Sequence, residues 1–404
     1  MRAHAEKAIE FIRSMLQARP VYLRALAWMP WVACFCWVAI LILQGSPSPV
    51  CFRVYMRAGL NWYFHGPLYN LRNIDGFQYL PHAAIIFAPF WRLGSPFREL
   101  LWRALGWSAY AVGAWLLARR ASERQADASF LIVGALSIGP AIDSLFRGQV
   151  NLAIAALVIL ATSAVMDARW NLASLCLVLG VALKPITLVP LALLALVYPP
   201  LRWRLLAGLM ILALVPLALR DLAYVWAQYA SCWRKLLLSA QPNRRFEDLA
   251  GLFGAAGLAL SARVLFALRA SAGVAVAALC VLVRKRTGGS NGAPMIAALS
   301  VNYLVLFSPR SQANSYVLVG VFAALSVLRL AREGKVVSAL ATLAIIVAWT
   351  VKPRFAPWSE FWLKPVGSIA FFAVLIEEVL GRKADLAERK SAGDFTRTIA
   401  VQGP

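Results

Sequence analysis

The chain has 404 residues, of which 61% are hydrophobic and only 15% charged, with a net charge of +23. A soluble domain averages roughly 45–50% apolar and about 25% charged residues, so the excess apolar surface of this chain faces something other than water. The positive charge does not point to nucleic acid, because Arg and Lys cluster at the ends of apolar runs, where the positive-inside rule places them in membrane proteins.

Taken in order, residues 1–24 are too polar for the apolar core of a secretory leader and read as a cytoplasmic amphipathic segment. A polytopic membrane domain follows over 25–381, and 382–404 form a basic cytoplasmic tail. Candidate spans lie at about 25–45, 81–95, 101–118, 128–142, 152–166, 171–198, 204–219, 262–283, 294–308, 315–331, 336–351 and 359–380. These runs are continuously apolar rather than alternating. In lipid every backbone polar group needs an internal partner, so they are helices. The expected class is an all-α, polytopic integral membrane protein with about 10–12 transmembrane or re-entrant helices.

Several spans fall short of the roughly 20 residues that cross a bilayer. Such segments are tolerated where protein or a polar cavity surrounds them. The span 171–198 contains Lys184-Pro185 midway and reads as two short helices. Charge parity between 81 and 170 is restored if either 81–95 or 128–142 is re-entrant. The basic segments at 284–289 and around Arg329, Arg332 and Lys335 read as cytoplasmic, which leaves 46–80, 220–261, 308–314 and 352–358 on the outer face. Two of these, 46–80 and 220–261, are large.

The six cysteines form no CxxC pair, and the three histidines are scattered, so no zinc site is expected. No D-x-D pattern occurs to hold a metal on a nucleotide diphosphate.

Five segments then carry a resemblance by their order and spacing: CFRVYMRAGLNWYFHGPLY, FQYLPHAAIIFAPFWRL, RGQVNLAIAALVILA, LKPITLVPLALLAL and SPRSQANSYVLVGV. Together, over about residues 45–330, the chain resembles glycosyltransferase family 87, polyprenyl-phosphate-mannose-dependent membrane proteins of the C-type glycosyltransferase fold. The resemblance implies a catalytic Asp in the first outer loop, a polyprenyl-phosphate sugar donor, a lipid or glycan acceptor and no cofactor. It also implies an active face turned outward, as in a bacterial cytoplasmic membrane. The family's loop pattern (Asp, three residues, Tyr, two small residues, then Gly-x-x-Tyr) matches Tyr55, Ala58, Gly59, Gly66 and Tyr69. Its Asp position falls on Cys51.

Sugar transfer needs a base for the acceptor hydroxyl. A thiol with a pKa of about 8.5 is a poor one at neutral pH, although Arg53 would favour its thiolate. Cys51 is therefore read as an inert replacement or a weak base. Asp75 is read as a relocated base or as the start of an Asp-Gly turn. Asp143 and Glu247-Asp248 are further carboxylate candidates.

For a leaving phosphate the cations are Lys184, Arg53, Arg57 and Arg310, with Arg147 adjoining. Each also suits interface anchoring, but a Lys inside a long apolar stretch is costly unless paired or functional. Gln149, Asn151, Tyr55 and Tyr79 offer polar groups for sugar and acceptor hydroxyls, as well as for helix-helix bonding. Trp62, Tyr63, Phe64 and Phe77 are read as stacking surfaces or an interfacial aromatic belt. The function implied is transfer of a hexose, mannose by the resemblance, to a lipid or glycan acceptor. The alternative is a lapsed homologue that binds or carries a polyprenyl-linked lipid.

Overall fold

The structure, a computed structural model, describes residues 20–45, 50–72, 75–123, 125–239, 246–309, 311–351, 359 and 361–381. The expected N-terminal segment up to residue 19, the tail from 382 and Arg310 lie outside the described residues.

The protein is all-α. Its helices are α1 (Pro20–Leu43), α2 (Val50–Tyr63), α3 (Pro81–Phe87), α4 (Phe97–Ala121), α5 (Ala126–Phe146), α6 (Val150–Met166), α7 (Trp170–Leu183) and α8 (Leu188–Val197). There follow α9 (Pro199–Leu219), α10 (Leu222–Ser239), α11 (Leu249–Ala255), α12 (Ala262–Thr287), α13 (Ala293–Phe307), α14 (Val317–Arg332), α15 (Val336–Thr350) and α16, over 363–381. Short 3-10 turns at Ala88–Arg92, Pro185–Thr187 and Ala313–Tyr316 follow α3 and precede α8 and α14.

Among the described residues five segments are long and apolar enough to cross a membrane: Tyr22–Leu43, Ala126–Phe146, Pro199–Leu219, Ala262–Thr287 and Ala313–Arg332. The protein is an integral membrane protein on this evidence together with its composition. Helix α4 is as long but carries Arg98, Glu99 and Arg103 at one end and Arg119 and Arg120 at the other.

Side-chain contacts sort the helix ends into two groups. At one end Arg24 faces Asp127 at 3.6 Å, and Arg332 donates to the Ala121 carbonyl at 2.7 Å. Arg120 pairs with Asp167 and Arg329 with Glu378. Arg284 there covers the ring of Tyr198, which lies 6.0 Å from Trp170. That last contact shows that α7 and α8 form a hairpin whose two outer ends meet at this basic face. The hairpin turns at Lys184, whose φ of −157° and ψ of 125° are extended because Pro185 follows it.

The opposite end gathers the loops that carry the expected functional residues. The helices that join the two ends are α1, α4 to α9 and α12 to α16. Segment 81–95, one of the candidate spans, is instead α3 and its 3-10 turn, lying with α2 at this second end. Pro81 starts α3 without a partner for its missing N–H, and Pro89 lies in the tighter turn that ends it. Helix α2 crosses α3 closely at Gly59, where a Cβ would sit 2.7 Å from the Phe87 carbonyl carbon. Helix α5, the other candidate for a re-entrant segment, is a continuous span, and the charge parity closes.

Helices α7 and α13 are short. At about 1.5 Å per residue, the 14 residues of α7 and the 15 of α13 reach just over 20 Å, short of the roughly 30 Å hydrocarbon thickness. Helices this short are tolerated in a membrane protein where surrounding protein meets their ends; above the inner end of α7 lie α2, α3 and α10, which form a roof.

Helix α10 holds that roof in place by a ladder of side chains at near-helical spacing. Arg220, just before it, donates to the carbonyls of Trp62 and Tyr63 at 3.1 and 2.8 Å. Tyr224 donates to Gly66 O at 2.9 Å, and the Gln228 amide oxygen accepts from Leu68 N at 3.0 Å. Lys235, fully buried, donates to Asn70 O at 2.8 Å and Asp75 O at 2.7 Å. The other face of α10 exposes Trp226 and Trp233, as befits an interfacial helix with its apolar face in lipid.

Candidate functional site

The site is built from the start of α6 outward. Arg103, buried on α4, donates to the carbonyls of Leu145 at 3.1 Å and Phe146 at 3.0 Å, the free end of α5. Cations complement a helix C-terminus in this way. Trp102 donates to Gly148 O at 2.9 Å. Gly148 has φ +60°, and a Cβ there would lie 3.1 Å from the Arg103 guanidinium carbon. Glycine is needed both for that conformation and for the close approach. The turn so fixed points Gln149 at α2.

Gln149 donates from Nε2 to Cys51 Sγ at 2.8 Å and accepts at Oε1 from the Tyr55 hydroxyl at 2.9 Å. The Tyr55 hydroxyl also lies 3.1 Å from that of Tyr79. Asn151, two residues on, accepts from Lys184 Nζ at 3.2 Å and donates to Asn314 Oδ1 at 2.7 Å and Ser315 Oγ at 3.3 Å. Ser144 donates to the Asn314 carbonyl at 2.6 Å, and Asn314 in turn donates to Gln312 Oε1 at 3.2 Å. Lys184 Nζ stands 5.9 Å above the Tyr79 ring.

One network thus unites Cys51, Tyr55, Tyr79, Gln149, Asn151 and Lys184, from four segments well separated in sequence. It also brings in Asn314, Gln312 and Ser315. The sequence reading quoted SPRSQAN as a segment but singled out none of these three; an Asn within an apolar-flanked turn was the available signal.

Electrostatics around Cys51 identify a further member. Burial raises its thiol above the ordinary thiol pKa; Arg147 works against that, while Asp143 adds to it and Lys184 opposes it more weakly. Asp143 and Arg147 therefore lie within electrostatic reach of Cys51, and they pair with each other at 2.9 Å. Burial likewise raises the phenol of Tyr55 well above its ordinary value and that of Tyr79 to about 12. At neutral pH the thiol and both phenols are un-ionised, and they serve as hydrogen-bonding groups.

Other expected residues lie elsewhere. Asp75 is exposed in the roof loop, its main-chain carbonyl on Lys235. Asp248 caps α11 by accepting from Gly251 N at 2.8 Å, and buried Glu247 lies 3.6 Å from Lys364. Arg53 and Arg57 occupy the face of α2 opposite Cys51 and Tyr55 and line a separate cavity with Arg98. Phe77 packs 5.5 Å from both Tyr69 and Tyr79, while Trp62 lies beneath Arg220 and against Tyr224. Tyr63 and Phe64 cluster with Trp91. Of the expected aromatics only Tyr55 and Tyr79 join the network.

The helix ends complete the picture. The N-termini of α6, of the 3-10 turn leading into α8, and of the 3-10 turn leading into α14 all lie at this network, beside Asn151, Lys184 and Asn314. The start of α6 has no side-chain cap and presents free N–H groups with a partial positive charge, whereas the turn before α8 begins with Pro185, which has no N–H, and the turn before α14 is closed by a capping box between Gln312 and Ser315. The uncapped start of α6 thus lies beside the Lys184 ammonium, which bonds Asn151 there.

The family model of glycosyltransferase family 87 matches residues 77–309, more than half of the chain. The protein belongs to glycosyltransferase family 87. It is thus a membrane glycosyltransferase by family, acting on a sugar donor and an acceptor in a lipid membrane. The matched stretch contains Tyr79, Asp143, Gln149, Asn151 and Lys184; Cys51, Tyr55 and Asp75 precede it. No curated protein matches the chain.

Proposed function

We propose that this chain transfers a hexose, mannose being the sugar implied by its family resemblance, from a polyprenyl phosphate to a hydroxyl of a lipid or glycan acceptor. The observation that carries the reading is Lys184, at the break between two short apolar helices, bonded to Asn151 at the uncapped start of α6. A lipid-anchored phosphate reaches such a place laterally, with its chain remaining in hydrocarbon. A soluble nucleotide sugar has to descend into it.

In the proposed step the acceptor oxygen attacks the anomeric carbon and the bond from that carbon to the donor phosphate oxygen breaks. The phosphate leaves with the electron pair, and Lys184 and the N-terminus of α6 stabilise its charge. Gln149, Asn151, Tyr55 and Tyr79 hydrogen-bond the sugar and orient it. The acceptor proton passes to a carboxylate acting as general base. Among the candidates we assign this to Asp143, which sits in the last turn of α5 just before Gln149 and pairs with Arg147 at 2.9 Å. Asp75, exposed on the roof, is the alternative base within the same reading. Direct displacement at one carbon inverts its configuration.

The basic end carries Arg119, Arg120, Arg284, Lys285, Arg286, Arg329 and Arg332. The positive-inside rule puts that end in the cytoplasm and the site on the outer face, as in a bacterial inner membrane.

The second reading is a carrier of polyprenyl-linked lipid that has lost the chemistry. It is favoured by Cys51, whose thiol burial keeps neutral where the family pattern has an Asp. Transfer of radiolabel from polyprenyl-phosphate mannose, in membranes containing the natural chain or Cys51→Asp, separates the two. Transfer by the natural chain supports the enzyme. Transfer appearing only in Cys51→Asp supports the lapsed carrier.

A further inference from the structure

A cavity separate from the polar network lies among the described residues. It has a volume of about 540 Å³ and lies on the other face of α2. Phe52, Arg53, Met56, Arg57 and Leu60 of α2 line it on one side, and Trp91, Ser95, Arg98 and Glu99 on the other. Ligand sites typically measure about 300–1,000 Å³, mostly apolar with a few convergent polar groups, and this cavity fits that description.

Its charge is unbalanced. Glu99 is the one acidic lining residue, and it lies 3.5 Å from buried Arg103, outside the cavity. Arg53 and Arg57 make no ion pair or side-chain hydrogen bond among the described residues. They stand one helical turn apart, where like charges destabilise a helix. Arg98 Nε and Trp91 Nε1 are buried with no hydrogen-bond partner, an arrangement that costs stability unless a ligand satisfies it. Three guanidinium groups with two orphaned N–H donors are suited to a phosphate, which arginine binds with two parallel hydrogen bonds.

The surroundings say where that phosphate comes from. Phe64 and Phe97 beside the cavity are exposed, as is Leu105 further along α4. Tyr63, Phe64 and Trp91 form an aromatic cluster at its edge, and Arg92 donates to the Tyr63 hydroxyl at 2.6 Å. Exposed apolar side chains with aromatics and arginines at one level mark the membrane interface. The lining Phe52, Met56 and Leu60 supply an apolar wall for the first methylenes of an acyl chain.

We propose that this cavity binds the headgroup phosphate of an anionic membrane phospholipid, separately from the donor phosphate at Lys184. Helix α2 then stands between two phosphate sites. One face, with Cys51 and Tyr55, meets the transfer network, and the other is clamped by a resident lipid that holds the helix in register.

The test uses the full chain in nanodiscs of phosphatidylcholine, with phosphatidylglycerol titrated in and retention read by native mass spectrometry. The natural chain is expected to retain phosphatidylglycerol at least tenfold over phosphatidylcholine. The double variant Arg53→Gln/Arg57→Gln and the single Arg98→Gln are each expected to lose that preference while remaining monodisperse; Lys184→Met is expected to keep it. Equal retention of the two lipids by the natural chain, or an unchanged preference in both arginine variants, would overturn the proposal. Displacement by inorganic phosphate as effective as by the lipid would overturn the lipid assignment. Polyprenyl phosphate that needs both the arginines and Lys184 would show one shared site and overturn the separation.

Discussion

Replacing Arg103 by methionine removes the guanidinium that ties α4 to the end of α5. Its three hydrogen bonds to the carbonyls of Leu145, Phe146 and Glu99 measure 3.1, 3.0 and 3.0 Å, and its ion pair with Glu99 3.5 Å. Removing one partner of a buried ion pair costs about 3–5 kcal/mol. The orphaned carbonyls each add about 1–3 kcal/mol where no water reaches them, partly offset because methionine fills the space of the arginine stem. With an unfolding entropy of about 2.1 cal/mol/K per residue over 404 residues, 3–5 kcal/mol corresponds to a fall in melting temperature of about 4–6 °C. The turn at Gly148 also loosens, and with it the aim of Gln149. Arg103→Lys keeps the charge without the fork and should lose about half as much. Thermal size-exclusion profiles in detergent, run beside sugar transfer, measure both effects. A methionine variant that melts within about 1 °C of the natural chain and transfers at its full rate would refute the reasoning, since the guanidinium would then neither stabilise the turn nor position the site.

Three further outcomes follow from the same geometry. Lys184→Met loses a charge-assisted contact to the donor phosphate, of about 1.5–3 kcal/mol; the donor KM should rise about 10-fold or more with little change for the acceptor, and an unchanged donor KM would remove Lys184 from the phosphate site. Alkylation of Cys51, in a variant lacking the other five cysteines, should keep accelerating beyond pH 9. Burial holds its pKa above the ordinary value, and only the thiolate reacts; a plateau by about pH 8 would show an activated thiol instead. Gln228→Leu with Lys235→Met cuts two rungs of the α10 ladder, so hydrogen exchange across 66–80 should quicken while that of α14 stays unchanged; equal protection in both proteins would mean that the roof stands without α10.

The helical, polytopic class and the grouping of basic residues at one set of helix ends were legible because they depend on local composition and charge. Lys184-Pro185 was readable as a break because proline constrains its neighbour wherever it occurs. Segment 81–95 was legible only as one of two re-entrant candidates, since its apolar run looks like a span and only its packing against α2 makes it part of the roof. The network joining Cys51, Gln149, Asn151 and Lys184 drew on residues that had each been singled out, but their contact is a product of tertiary folding. Arg53 and Arg57 illustrate the converse: they were grouped with Lys184 by charge, and a half-turn of α2 puts them on its other side. The α10 ladder left no sequence signal, because its partners are main-chain atoms whose identity a sequence does not record.

The account's central claim is that a carboxylate beside the Lys184 network drives transfer from a lipid phosphate. Rates of sugar transfer from radiolabelled polyprenyl-phosphate mannose, in membranes holding the natural chain, Asp143→Asn or Asp75→Asn, test it most directly. The account predicts product from the natural chain, loss of about 100-fold or more in Asp143→Asn, as expected for removal of a general base, and a near-natural rate in Asp75→Asn. Full turnover in Asp143→Asn, or loss confined to Asp75→Asn, would contradict it.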